Sequence, residues 1–158
     1  FSKLTYDELL IEADDTGVIV KEAPLCSGDG RCRGKRIAIR QDIPTLAKKA
    51  DVLAEELGHY HTTVGDIVEI RSTADEKQER AARMWGYNKQ IGLGGIIDAY
   101  KHHCQNRFEV AEYLGVSEDT LEDAIECYRQ VYGLKTVVDN YIIRFEPTLQ
   151  VYMIKMFF

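Results

Sequence analysis

Apolar positions along the chain change their period several times, and each change predicts an element. Leu4, Leu9, Leu10 and Ala13 recur at roughly helical spacing, so Ser2–Asp14 is read as a helix stopped by Gly17. Val18-Ile19-Val20 and Lys35–Arg40 are short β-branched runs on either side of the Ser27-Gly28-Asp29-Gly30 turn signal. They read as two strands that pair across a long link. Asp42–Tyr60 reads as the strongest helix: Asp42 can cap it and Pro44 suits its first turn. Its buried stripe is expected to be Leu46, Ala50, Leu53 and Leu57. A loop with a short strand at Ile67–Ile70 follows, then a charged helix over Asp75–Ile91. Gly92, Gly94 and Gly95 should break or bend the chain before a helical stretch over Ile96–His103. Phe108–Leu114 and Asp119–Tyr132 form a helix pair with Ser117 as an N-cap. Gly133 ends it, and short strands at 136–138, 141–145 and 149–154 close the chain.

The order predicts an α+β fold: a small twisted sheet, one helix packed beneath it, and a mainly helical second half. At 158 residues the chain buries enough surface to fold without a disulfide or metal staple. Its net charge of −6 opposes general nucleic-acid binding, which needs a basic face to displace counterions. No segment reaches the roughly 20 apolar residues of a membrane span, and no export signal is visible, so the expected compartment is the cytoplasm. Cys26, Cys32, Cys104 and Cys127 match no zinc-ribbon or redox spacing and read as reduced thiols. The start at Phe1, without an initiator Met, reads as trimmed from a longer chain.

Candidate chemistry lies in Ala54-Glu55-Glu56-Leu57-Gly58-His59-Tyr60-His61. A His-Glu-x-x-His helix puts two zinc ligands on one face and a Glu beside them that activates water. Here Glu55 stands where the first His would be, Glu56 is the general base, and His59 is the second ligand. The third ligand should come from the next helix. Glu79 is chosen because the small residues after it suit a close crossing against Gly58, with Glu76 one turn earlier as the runner-up. His61 is a possible accessory residue, although side chains two apart diverge on a helix. His102 and His103 read as surface or packing residues.

The stretch Ile37-Ala38-Ile39, then Val52–Tyr60, then Glu79-Arg80-Ala81-Ala82-Arg83-Met84-Trp85 resembles the ImmA/IrrE family of metallopeptidases. The resemblance implies a zincin-like core and assigns Glu56 as base and His59 and Glu79 as ligands, with Glu55 departing from the family's His. It implies Zn²⁺ as cofactor. A second carboxylate ligand weakens that site and shifts its preference toward Mn²⁺ or another hard divalent ion. Residues 1–103 would be the peptidase core, and 104–158 would be helix-turn-helix-like helices and strands packed with it as one unit. The implied substrate is a helix-turn-helix repressor or other regulatory protein from a phage or mobile element. The alternative is a non-catalytic antirepressor on the same fold. The Asp119–Tyr132 helix carries Asp119, Glu122, Asp123 and Glu126 against Arg129, which points to a core-forming or protein-docking module rather than direct DNA binding.

Overall fold

The computed structural model describes residues 4–62 and 73–155, with side chains given for all of these except 73–75. The fold is α+β and divides into two compact units, one over Leu4–Gln90 and one from Ile91 onward. The strand expected over Ile67–Ile70 lies outside the described residues. Among the described residues no helix is long and apolar enough to cross a membrane.

The first unit runs α1 (Tyr6–Asp15), β1 (Ile19–Ala23), β2 (Gly30–Arg33), β3 (Arg36–Arg40), α2 (Leu46–Thr62) and α3 (Thr73–Gln90). Helix α1 starts later than its apolar spacing suggests, because Thr5 and Glu8 close a reciprocal capping box that fixes the first turn. The sheet order is β1-β3-β2, with β1 parallel and β2 antiparallel to β3. The two expected strands therefore do pair. The long link between them holds a third strand, β2, which starts at the last residue of the Ser27–Gly30 turn signal. Glycine is a poor strand former and the stretch holds no β-branched or aromatic residue, so Gly30-Arg31-Cys32-Arg33 gives little local signal. Its pairing is imposed by a two-residue turn, Gly34-Lys35, in which Gly34 adopts φ +58°.

Val20, Cys32, Ile37 and Ile39 turn inward from the sheet onto Leu9 and Ala13 of α1 and Ala50, Leu53 and Leu57 of α2. Helix α2 begins at Leu46 and not at Asp42. The Thr45 hydroxyl accepts the Lys48 N–H at 3.1 Å, while Asp42 faces Arg40 at 3.6 Å. Of the expected stripe, Ala50, Leu53 and Leu57 are buried, while Leu46, the first residue of the helix, is 67% exposed.

Helix α3 crosses α2 antiparallel through two reciprocal small-residue contacts. A Cβ built on Gly58 would overlap the Ala82 carbonyl oxygen and stand 2.9 Å from its carbonyl carbon. One on Gly86 would stand 3.2 Å from the Ala54 carbonyl. Beside this crossing, the buried Gln90 side chain donates to Asp51 at 3.3 Å.

The second unit runs α4 (Gly92–Lys101), α5 (Arg107–Leu114), α6 (Glu118–Tyr132), β4 (Lys135–Val138), β5 (Tyr141–Arg144) and β6 (Gln150–Met153). The helix breaks at Ile91-Gly92 as expected, with α3 ending at Gln90 and Gly92 at φ +64°, but it resumes sooner than Ile96: α4 takes in Gly94 and buries Gly95 along with Ile96 and Ile97. Asn106 and Ser117 cap α5 and α6 by accepting the N–H of Glu109 and Thr120, and Gly115 ends α5. The three strands form an antiparallel meander, β4-β5-β6. Ile143 and Phe145 are buried, as are Leu121, Ala124 and Tyr128 of α6.

The crossing yields a direct test. Gly58→Ala drives a methyl group into backbone that cannot rotate away, so it should destabilise the protein by about 3 kcal/mol in urea unfolding. Gly86→Ala meets its neighbour at an adjustable distance and gains helix propensity, so it should stay within about 1 kcal/mol of the parent. Equal losses at the two positions would refute the asymmetry.

Candidate metal centre

The Gly58–Ala82 contact lies one residue from His59 and three from Glu79 in sequence, so it brings those two side chains together. His59 Nε2 stands 3.5 Å from Glu79 Oε2. Glu55, one helical turn before His59, joins them, and single ligand atoms of Glu55, His59 and Glu79 all lie within 4.8 Å of one another. Two ligands of one zinc ion, each about 2.0–2.2 Å from it, stand roughly 3.4 Å apart in tetrahedral geometry. The His59–Glu79 pair already has that spacing. Glu55 also faces the Arg83 guanidinium at 3.9 Å, a contact that a cation would compete with. The donor set, one imidazole and two carboxylates, suits a divalent ion.

Glu56 lies on the buried side of this group. It is 9% exposed, and its carboxyl is pushed up to about 7, first by burial and then by the charges of Glu55 and Glu79. Strand β2 covers it. A Cβ on Gly30 would come within 2.9 Å of Glu56 Cγ and 3.0 Å of its Oε1, so only glycine lets the strand lie this close. Cys32, two residues on, is pushed up to about 11 by burial and by Glu56, which keeps it a thiol of low reactivity. A carboxyl that exchanges its proton near neutrality beside a cluster of ligand atoms is equipped for acid–base work. A cation among the ligands would act on Glu56 in the opposite sense and favour its ionised form.

The other sequence candidates lie apart from this group. His61 is exposed, and its ring stacks on Trp85 with centroids 4.6 Å apart. Glu76 is exposed and outside the set of converging ligand atoms. In the second unit His102 stacks on Tyr113 at 4.5 Å. Cys26, Cys32, Cys104 and Cys127 form no disulfide. Sequence reasoning missed Gly30 and Arg83. Gly30 belongs to the Ser27–Gly30 turn signal, and nothing local to it shows that the strand it opens lies against Glu56. Arg83 lies four residues after Glu79, so its position on the ligand side of α3 could have been read from helical periodicity.

The family of IrrE N-terminal-like peptidase domains matches residues 13–126, a span that includes α2, α3 and every residue of the cluster. Neither a curated protein nor a solved structure matches the chain.

The displaced carboxyl of Glu56 makes stability depend on pH. Folding raises its affinity for a proton, so the metal-free fold loses stability as pH climbs from about 4.5 through about 7. Glu56→Gln removes that cost. In chelator, the variant should exceed the parent by about 2–3 kcal/mol above pH 8, with the gain fading toward about pH 4. A difference that does not change with pH would contradict the assignment of the titration to Glu56.

Proposed function

Because the chain belongs to the IrrE N-terminal-like family of peptidase domains, we propose that it is a metal-dependent endopeptidase of narrow specificity. Its proposed substrate is a helix-turn-helix repressor or a similar regulatory protein of a phage or mobile element. The observation that supports this most strongly is the convergence of Glu55, His59 and Glu79 beside a buried Glu56. Those three would hold the ion. When bound, a divalent ion supplies Lewis acidity, polarising a carbonyl and easing removal of a proton from water.

The chain's own groups supply the rest. Glu56 accepts a proton from the attacking water as the new C–O bond forms. It returns that proton to the amide nitrogen as the C–N bond breaks. Burial beneath β2 suits both halves of the task, since it keeps bulk water from competing for the proton that Glu56 carries. Substrate would lie along β2, an edge strand of the first sheet and the strand in closest contact with Glu56. Backbone hydrogen bonds to an extended peptide give affinity there without reading sequence.

Glu55 sets the strength of the site. Two carboxylates neutralise more of the ion's charge than one, so Zn²⁺ is held less tightly and acidifies water less. The harder donor set moves preference toward Mn²⁺ or Mg²⁺. The Arg83–Glu55 contact favours a second reading: Glu55 has a cationic partner without any metal, as suits an antirepressor that acts by binding alone.

Incubation with a helix-turn-helix regulator, followed by intact-mass measurement, separates the two. The peptidase should give discrete fragments that chelator abolishes and that Glu56→Gln fails to produce while still binding metal. A stable complex with no fragments selects the binding module. Glu55→His should tighten Zn²⁺ binding on the order of tenfold or more. Unchanged affinity in that variant would remove Glu55 from the ligand set.

A further inference from the structure

The first sheet carries a concentration of positive charge on a chain whose net charge is −6. Strand register sorts its outer face into rows. Ile19, Arg36 and Arg33 form one row, and Lys21, Ala38 and Arg31 form the next. The cations of both rows are exposed, as is Lys35 in the turn joining β2 to β3. Among the described residues, Lys21, Arg33, Lys35 and Arg36 make no ion pair. Arg31 donates to the Ser27 hydroxyl at 2.9 Å. Arg40, at the far end of β3, is neutralised by Asp29 and Asp42.

This arrangement opposes folding. Arg33 and Arg36 are direct cross-strand partners, and like charges placed opposite each other destabilise a sheet. Ala38, the small residue between Lys21 and Arg31, leaves a shallow floor where a carboxylate can sit among cations. Strand β2 links this face to the candidate metal centre. Gly30 and Cys32 turn toward α2 and Glu56, while Arg31 and Arg33 turn outward. A peptide added along β2 would follow the same alternation, with every second side chain beside Arg31 and Arg33.

We infer that the outer face of this sheet docks an acidic stretch of the protein substrate, with Arg31 and Arg33 reading carboxylates at alternate positions of the peptide on β2 and Arg36 adding its charge beside Arg33. This rests on the peptidase reading of the same site and adds a substrate class to it. A polypeptide fits better than a nucleic acid for two reasons. The cations continue the strand edge where substrate would lie. The two rows and the turn also hold no aromatic residue on which bases could stack.

Fluorescence anisotropy on the full chain in chelator tests this. The probes are a labelled peptide with Glu at every second position, its Gln counterpart, and a short duplex DNA. The Glu peptide should bind with an affinity that falls as salt rises, and the Gln peptide should bind about tenfold more weakly. The double variant Arg33→Gln, Arg36→Gln should lose about tenfold in affinity for the Glu peptide. Its Tm should equal or exceed the parent's, because a repulsive pair has been removed. Equal binding of the two peptides, undiminished binding by the double variant, or preference for the DNA overturns the inference. The readout needs no turnover. Binding of the Glu peptide by a protein that cleaves nothing would therefore support the docking surface and count against the peptidase reading alone.

Discussion

Everything at the candidate site depends on how closely α3 can approach α2. Ligands contributed by two helices meet only if the backbones come nearer than side chains normally permit. The sequence solves this with Ala54 and Gly58 on one helix facing Gly86 and Ala82 on the other. The contact is backbone against backbone at Gly58, and no rearrangement of side chains can substitute for it. His59 and Glu79 are placed by that contact rather than by any attraction of their own. Three acidic residues around one site repel one another, so the packing of the crossing has to offset electrostatics that work against it.

The same tension accounts for the state of Glu56. Strand β2 lies flat on α2 because Gly30 has no side chain, and the carboxyl beneath it is removed from water. Burial and two neighbouring carboxylates then act in the same direction and raise its proton affinity. A feature that weakens the metal-free fold at high pH is also the feature that equips the group for proton transfer. The outer face of the same sheet shows a parallel compromise, with Arg33 set against Arg36 where stability alone would separate them. Departures from the most stable arrangement thus occur on both faces of one strand.

What could be read from the sequence divides along physical lines. Glu55 and His59 at helical spacing, Gly58 as a point of close approach, and Glu79 ahead of two alanines were legible because each is a local pattern with a geometric meaning. Asp42 and Pro44 imitated a helix start, but Thr45 makes the capping hydrogen bond, and only the backbone path distinguishes them. Strand β2 was invisible because its pairing comes from β3 and its packing from α2, and not from its own residues. Glycine propensity predicted the break that separates α3 from α4 at Gly92, but at Gly94 and Gly95 burial of the helix face overrode it. Arg83 shares a side of α3 with Glu79 by periodicity, but its contact with Glu55 depends on the crossing.

The most direct test is crystallographic. Crystals of the protein soaked in zinc, with diffraction recorded on both sides of the zinc absorption edge, report where the ion sits without reference to activity. The account predicts one anomalous peak per chain, within bonding distance of Glu55, His59 and Glu79. A peak at the cysteines, or none between α2 and α3, would contradict it.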